Sequence, residues 1–318
     1  MRVVQKKIKT ADYYTLLDLD SLAVGDVLPF DIFIKKSSDY IIIIEAGTLL
    51  SQKMYEKLEK QDTLYIFKKD KAKLSLTCDS LKDYIKYNKD NPERRFKFVH
   101  DLNTELFNDY LENKDNKIDS KCVSLIVESI IYLVQYDEKF IKNTIPLFIN
   151  ENNIANHSLH VAIYAVNLGN MLKLNDSKLL HLGISGLLHD LGLKKINPSL
   201  INKNTKLNIA EMEEVHRHSQ YSVDIVKQNN IHDPYIIDAI MHHHEQYDGG
   251  GYPEKLKEEE ISVFASILSI CDVFDALTSE RPHRKLYSSF EAIKMMIKDD
   301  SMINKFNHKY LQLLLKSL

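Results

Sequence analysis

The sequence has few cysteines and no long apolar run. Its three cysteines, Cys78, Cys122 and Cys271, are far apart and odd in number. This usage predicts reduced thiols in a cytoplasmic protein and argues against a disulfide framework. No apolar run approaches the ~18 residues that a membrane span requires, and no apolar segment follows the basic start of the chain. We therefore expect neither a membrane-inserted helix nor a signal peptide.

The sequence also lacks an excess of charge of either sign. Its 42 basic and 45 acidic residues give a formal net charge of −3. Proteins that bind nucleic-acid polymers usually carry a basic excess, so the composition argues against such a partner. The length of 318 residues and the apolar content of 44% allow two domains with a core.

The first part of the chain has the pattern of a small α/β domain. From Leu28 to Ile34 every second residue is Leu, Phe or Ile, which is the period of a strand. Two more strands are predicted at residues 40–45 and 63–67, with a short helix at 52–60 between them. No catalytic constellation occurs here. We therefore expect a regulatory or docking domain at residues 1–72, followed by a helical connector at residues 73–145.

Histidines are concentrated in the second half of the chain. Ten of the 13 histidines lie between His157 and His244, so the chemistry is to be sought there. One of them, His189, is followed by Asp190 at the end of an apolar helix. Neighbours on a helix point about 100° apart and cannot share one contact. They can hold one cation between them, or reach two cations that share the Asp; the alternative is a plain hydrogen-bonded pair.

Other histidines lie on predicted helices in close pairs: His157 with His160, His216 with His218, and His243 with His244. The last pair follows Ile240 by three and four residues, which places both on or beside the apolar, inward face of their helix. His242 points further away.

A predicted helix at residues 261–277 is apolar nearly all round, yet it carries Asp272 and Asp275 one turn apart. A buried, unpaired carboxylate costs several kcal/mol or takes up a proton. A metal cation would satisfy both residues. The alternatives are pairing with Arg281 or Arg284 and, for Asp275, a hydrogen bond to a ligating histidine.

A glycine-rich loop at residues 248–253 lies between these helices and places Tyr252 just after the histidine pair. Its backbone can approach a ligand closely, although the composition also fits a plain turn.

Together these residues resemble the HD-GYP family, a branch of the HD phosphohydrolase superfamily. The matching motifs are His189-Asp190, Lys203, His218, His243-His244-Glu245, Asp248-Gly249, Gly251-Tyr252-Pro253, Asp272-Val273-Phe274-Asp275-Ala276-Leu277 and Arg281-Pro282. The resemblance implies an all-α, HD-type helical bundle with a metal centre at residues 146–318. The expected fold class is therefore α+β, with the small α/β domain preceding the bundle.

The resemblance also implies an activity, the metal-dependent hydrolysis of cyclic di-GMP to the linear dinucleotide or GMP. Carried over residue by residue, one metal would be held by His157, His189, Asp190 and Asp272, and the second by His218, His243 and His244, with Asp190 bridging. Iron is the expected metal, with manganese as the alternative; mixed imidazole and carboxylate ligands suit both.

The family pattern gives further roles. Asp190 and Tyr252 are the expected catalytic residues, and Tyr252, Arg281 and Arg284 match positions that contact the nucleotide or its phosphates. Members of the family are linked to diguanylate cyclase domains, which dock through the loop that carries Gly251, Tyr252 and Pro253.

Three positions depart from the family pattern. Leu193 stands where many members carry a lysine thought to contact the scissile phosphate. Lys194 or Lys195 could partly substitute, although neither has the same direction. Asn153 stands where members with three metals carry a Glu, which favours two metals. His283 replaces the usual tyrosine of the arginine-proline motif.

These features leave alternatives to the phosphodiesterase. The ligand set favours an enzyme, whereas Leu193 favours a catalytically weak domain that acts as a cyclic di-GMP receptor or interaction module. A third reading is an HD phosphohydrolase with another nucleotide as substrate.

Overall fold

The computed structural model describes residues 13–19, 22, 24–25, 27–37, 39–73, 92–136, 141, 153–201, 203, 205–279 and 286–318. Arg281, His283 and Arg284 lie outside the described residues. The chain divides into two compact units, residues 1–98 and 99–318. The predicted domain boundaries near residues 72 and 145 stay predictions.

The first unit contains a four-stranded antiparallel sheet. Its strands are β1 (Tyr14–Leu17), β2 (Ile32–Lys36), β3 (Asp39–Ile44) and β4 (Leu64–Phe67), in the order β1-β4-β2-β3, and helix α1 (Gln52–Leu58) connects β3 to β4. Strand β1 is absent from the sequence prediction. Ser51 caps α1 as the sequence indicates, since its hydroxyl accepts a hydrogen bond from the amide of Met54.

The predicted strand at Leu28 begins only at Ile32. The alternation itself is confirmed, because Leu28, Phe30 and Ile32 are all buried in one apolar cluster. Pro29 lies between them and has no amide hydrogen for a ladder, so pairing at this end is reduced to isolated bonds such as Gly47 N to Leu28 O, 2.7 Å.

The second unit is helical. Helix α2 (Pro92–Glu112) is followed by α3 (Ser120–Tyr136), α4 (Ile154–Met171), α5 (Asp176–Leu188), α6 (Pro198–Ile201), α7 (Ile209–His216), α8 (His218–Gln228), α9 (Pro234–His242), α10 (Val263–Thr278), α11 (Ser289–Lys298) and α12 (His308–Ser317). A 3-10 helix (Leu191–Lys195) follows α5. The prediction of a small α/β domain followed by a helical bundle is confirmed. Within the described part of the chain, none of the helices combines the length and apolar character of a membrane span.

Capping side chains start the helices at the predicted places. Asp119 accepts hydrogen bonds from the amides at the start of α3. Asn208 and Glu211 form a capping box on α7, and Asp233 precedes Pro234 at the start of α9. The sequence predicts one helix over residues 209–228, but the structure divides it at Arg217 into α7 and α8.

The central helices of the bundle approach closely. A Cβ atom added to Gly186 on α5 would lie 2.8 Å from the Cα of Ala162 on α4. Only glycine permits this backbone contact, which holds the helix of His157 against the helix that ends at His189.

The described residues test the cysteine prediction at one position. Cys271 is a free, buried thiol, as the sequence predicts. Cys78 lies outside the described residues.

Candidate metal centre

Three of the predicted ligands, His189, His218 and His243, share one local geometry. Each lies at a helix end, and each Nδ1 contacts the carbonyl oxygen three residues earlier, at 2.8 Å for His189, 2.7 Å for His218 and 2.7 Å for His243. Carbonyl groups in the last turn of a helix lack hydrogen-bond partners within the helix, so a side chain can donate a hydrogen bond to them. A carbonyl only accepts, so Nδ1 carries the proton and Nε2 presents a lone pair.

These lone pairs converge. The Nε2 atoms of His218 and His243 are 3.4 Å apart, and those of His244 and His218 are 3.0 Å apart. His244 can donate a proton to His218 in the absence of a cation. His218 and His243, however, both present lone pairs, and a proton or a cation between them is needed to relieve the repulsion.

Asp190 faces two sets of imidazoles at once. Its Oδ1 lies 3.3 Å from Nε2 of His218 and 3.9 Å from Nε2 of His243. Its Oδ2 lies 3.5 Å from Nε2 of His189 and 3.7 Å from Nε2 of His157. One carboxylate therefore offers a separate oxygen to each set, which is the geometry that a bridging ligand needs.

His157 is held between two carboxylates from α10. Its Nε2 lies 3.2 Å from Oδ1 of Asp272, and its Nδ1 lies 2.7 Å from Oδ2 of Asp275. The other oxygen of Asp275 lies 3.0 Å from Nδ1 of His160. Asp275 thus has the role of a hydrogen-bond partner behind His157, one of the alternatives left open by the sequence.

The predicted ligands come together in two groups whose donor atoms lie within 4.8 Å of one another. We name them the Asp272 group, with His157, His189 and Asp272, and the Asp190 group, with Asp190, His218, His243 and His244. His242 stays outside both groups and bonds Asp238 through Nδ1 at 2.9 Å.

The buried environment sets the charge of these groups. Burial raises the pKa of Asp190, but the surrounding imidazoles outweigh burial and lower it, so the carboxylate is ionised. Burial likewise raises the pKa of Asp272, but the hydrogen bond to His157 and the nearby imidazoles outweigh burial and lower it. Burial lowers the pKa of His244 to about 4 and that of His243 well below its ordinary value. Ionised carboxylates and neutral imidazoles are the forms that bind metals.

The donor set fits divalent cations. Nε2 of His189 is buried and makes no hydrogen bond, so its lone pair needs a partner within the cluster. Five imidazoles and two carboxylates converge here, and such a mixed set suits iron, manganese or zinc. The residues present can therefore hold divalent metal.

The pKa of His157 is shifted in the opposite direction to those of His243 and His244, and this difference predicts how metal uptake depends on pH. Burial lowers its pKa, but hydrogen bonds to Asp272 and Asp275 outweigh burial and raise the pKa well above its ordinary value. The metal-free protein therefore holds a proton on His157 at neutral pH, and a metal must displace it. We expect affinity for Mn²⁺ to rise with pH until the pH exceeds this pKa. Calorimetry at pH 7 in two buffers of different ionisation enthalpy should show about one proton released per chain.

Equal heats in the two buffers would contradict this prediction. The same ion pairs stabilise the metal-free fold below the unfolded pKa of about 6.5, and this contribution is lost as the pH rises through the folded pKa of His157.

Gly192 fixes the distance between Asp190 and α8. A Cβ atom at Gly192 would lie 2.0 Å from the backbone oxygen of His218, and the Gly192 amide donates to Oγ of Ser222 at 2.8 Å. Gly192→Ala is therefore expected to push the 3-10 helix away from α8, destabilise the fold by roughly 1–3 kcal/mol and weaken metal binding. Thermal unfolding and metal titration measure the two effects.

Gly169→Ala is the matched control for this prediction. Its Cβ would meet side-chain atoms of Leu179 and Leu182 at 2.8 and 2.9 Å, away from the proposed ligands. It should lower stability and leave the metal stoichiometry unchanged. Full metal affinity in Gly192→Ala would show that this contact does not set the site.

Tyr252 lies beside the cluster on the glycine-rich loop. Glu245 is buried, and its carboxylate accepts hydrogen bonds from the amides of Glu254 at 2.7 Å and Leu256 at 3.1 Å. A Cβ at Gly251 would lie 2.4 Å from the Gln246 amide, so glycine is needed there. Burial and the nearby carboxylates of Asp190 and Asp272 raise the pKa of the Tyr252 hydroxyl, which stays protonated. The sequence placed Glu245 in a motif without indicating that it holds this loop.

The two lysines near Leu193 have partners outside the cluster. Lys194 donates to the carbonyls of Tyr110, at 2.5 Å, and Asn113 near the end of α2, and its ammonium lies 4.4 Å from the Tyr110 ring. The Lys195 ammonium lies 5.4 Å from the ring of Tyr221. Neither lysine contacts a residue of the two groups.

Asn153 is used as a helix cap. Its side chain accepts a hydrogen bond from the amide of Asn156 at 2.8 Å at the start of α4. This contact gives Asn153 a structural role, and the expected number of metals stays a prediction.

Comparison with known proteins gives related findings. A family model described as HD domain matches residues 136–303, more than half of the chain. Cyclic di-GMP phosphodiesterase PA4108 of Pseudomonas aeruginosa is 33% identical over 179 residues, which cover 56% of this chain and 43% of that protein. 3'3'-cGAMP-specific phosphodiesterase 3 of Vibrio cholerae is 34% identical over 144 residues, 45% of this chain and 31% of that protein. The chain thus spans less than half the length of these relatives.

A solved structure resembles the chain over nearly its full length. Bd1817, described as an HDG"Y"P protein from Bdellovibrio bacteriovorus, superposes with a TM-score of 0.61 at 17% identity, covering 95% of this chain and 98% of that one. At this identity the likeness concerns the fold alone.

Proposed function

Because the chain belongs to the HD domain family, in its HD-GYP branch, we propose that it is a metal-dependent phosphodiesterase that hydrolyses cyclic di-GMP. The observation that carries the proposal is the convergence of the Asp272 and Asp190 groups, with one oxygen of Asp190 toward each.

We propose that the Asp272 group holds one divalent cation, the Asp190 group holds the second, and Asp190 bridges them. Such a pair, when bound, supplies Lewis acidity and a water nucleophile for phosphodiester cleavage. The chain's own residues hold and orient the ligands: backbone carbonyls fix three imidazoles, and Asp275 fixes His157. The protonated hydroxyl of Tyr252 is the proposed hydrogen-bond donor to substrate. Iron, with manganese as the alternative, remains the proposed metal.

The proposed substrate class is the cyclic purine dinucleotides. The relatives named above act, by their names, on cyclic di-GMP and on 3'3'-cGAMP, at 33% and 34% identity. The second compound is therefore the second candidate substrate. We also propose that Arg281 and Arg284 contact the phosphates of the substrate. The proposal further includes a cytoplasmic location, a regulatory role for the N-terminal unit and docking of diguanylate cyclase domains. The receptor alternative is not favoured, because the relatives carry the names of enzymes.

A direct assay tests the proposed function. Protein reconstituted with Fe²⁺ or Mn²⁺ is mixed in excess with cyclic di-GMP or 3'3'-cGAMP, and the linear products are separated by chromatography. We expect cleavage of at least one substrate and none after chelation. Tight binding without cleavage of either compound, in protein with full metal content, would contradict the enzyme and support the receptor.

Asp275→Asn tests the support behind His157. His157 and His160 contact different oxygens of Asp275. The amide has an NH2 group in place of one of these oxygens, so it cannot accept from both imidazoles in this geometry. Loss of such a partner typically lowers metal affinity by about 10–100-fold, and we expect this for the cation of the Asp272 group. Asp238→Asn is the matched control, since Asp238 bonds His242 in the same way outside both groups. Equal affinities of the two variants would contradict the role given to Asp275.

A further inference from the structure

A stack of aromatic rings lies beside the proposed metal pair. The rings of His216 and Tyr252 are parallel within 8°, with centroids 3.6 Å apart. The ring of His244 lies 4.7 Å from that of Tyr252 at an angle of 29°. His244 is a proposed ligand, so Tyr252 connects His216 to the cluster.

Tyr252 is enclosed between the two imidazoles. Two rings cannot both cover the same face of a third ring at these distances without overlapping, so His216 and His244 lie on opposite faces. The faces of Tyr252 are therefore occupied, and a nucleotide base cannot stack on them. Only the edge that carries the hydroxyl is left to contact a substrate.

The hydroxyl of Tyr252 is free to donate. It makes no hydrogen bond to any residue in the described part of the chain. A phenol beside a phosphate can donate to a non-bridging oxygen, and the benefit depends on how accurately the ring is held.

The contacts of His216 within the described part of the chain indicate no structural role other than its stack on Tyr252. It is the last residue of α7, a helix without a buried residue. Its imidazole makes no hydrogen bond within the described part of the chain, where its ring contact is the stack on Tyr252. A ring that only filled the core would be buried among apolar side chains, whereas this one is half-buried.

We propose that His216 is a positioning residue, which stacks on Tyr252 and aims its hydroxyl at the scissile phosphate. The inference rests on the proposed function and deepens it: Tyr252 acts through its hydroxyl, and His216 acts only through Tyr252.

Kinetics of the metal-loaded 318-residue chain test this proposal with cyclic di-GMP as the probe. His216→Ala should lower kcat by about tenfold, the scale of a small misplacement near a reacting group, with little change in KM or metal content. His216→Phe keeps a flat ring and should restore most of kcat. In the Tyr252→Phe background, which lacks the hydroxyl, His216→Ala should add no further loss.

Two kinetic outcomes would overturn the proposal. One is native kcat in His216→Ala; the other is an equal loss in the presence and absence of the Tyr252 hydroxyl, which would mean that His216 acts independently. Loss of metal together with kcat would likewise assign His216 to the metal centre.

A second measurement does not depend on turnover. In protein labelled with 3-fluorotyrosine, the ¹⁹F resonance of Tyr252 is identified by its absence in Tyr252→Phe. His216→Ala should shift this resonance and His216→Phe should largely preserve it, because a neighbouring ring changes the local field. An unmoved resonance would overturn the stack itself. A shifted resonance in a protein that cleaves neither cyclic dinucleotide would leave the stack standing and overturn both the proposed function and the catalytic purpose of His216.

Discussion

Asp190→Ala is expected to remove most of the bound metal, taking the content from about two first-row cations per chain to well below one. Each oxygen of Asp190 faces a different group, at 3.3 Å from His218 and 3.5 Å from His189. Loss of this side chain therefore takes one ligand from each cation and the only bridge that we propose between them. Elemental analysis of protein purified without chelator measures the effect.

The fold of Asp190→Ala should survive the substitution. The protonated His157 keeps Asp272 and Asp275 as partners when the Asp190 carboxylate is gone, so its charge is not left unpaired. Circular dichroism should match the native protein. Asp224→Ala is the control: Asp224 bonds Gln220 on the surface of α8, and its removal should leave the metal content unchanged.

Absence of metal from the native protein, before and after reconstitution, would end the binuclear proposal. Full metal content in Asp190→Ala would end the bridging role alone, since the two groups could then each hold a cation without it. The metal content of the native protein thus tests whether the site exists, and the metal content of Asp190→Ala tests whether Asp190 bridges the two cations.

The proposed ligands could be picked out from the sequence because they are polar residues in apolar helices. His189 closes an apolar helix, and Asp272 lies within a helix whose other residues are almost all apolar. Burial of such groups is costly without a partner, so their presence indicates one. The family resemblance then supplied the grouping, and the structure brings the same residues together.

The contacts that hold the proposed ligands in place could not be predicted, because they depend on where helices end and cross. Nothing in the local sequence indicates that the helix breaks at Arg217. This break allows Nδ1 of His218 to hydrogen-bond to the carbonyl oxygen of Val215. The stack of His216 on Tyr252 joins residues far apart in sequence. Lys194 could be placed only by its contact with the end of α2.

Leu193→Lys is expected to increase kcat for cyclic di-GMP by up to about 10²–10³-fold, the size of one well-placed electrostatic contact. Leu193 is three residues after Asp190, and its amide bonds the Asp190 carbonyl at 3.0 Å. With about three residues per turn in a 3-10 helix, the two side chains lie on the same side. A lysine there would extend toward the side of Asp190 where we propose that the scissile phosphate binds.

The native chain is correspondingly expected to turn over slowly. Metals supply the nucleophile and part of the charge stabilisation, but the neighbouring lysines are held elsewhere by Tyr110, Asn113 and Tyr221. A cation near the non-bridging oxygens stabilises the transition state more than the bound substrate, so the gain should be larger in kcat than in KM.

Single-turnover assays with matched metal content decide between this view and a packing role for Leu193. Leu193 is partly buried, and Leu193→Met changes its shape without adding charge, so it should leave both stability and rate near the native values. If Leu193→Lys is stable and fully loaded yet no faster, the position does not face the scissile phosphate. If the native protein is already fast, Tyr252 and the metals suffice, and a lysine at position 193 is dispensable on this scaffold.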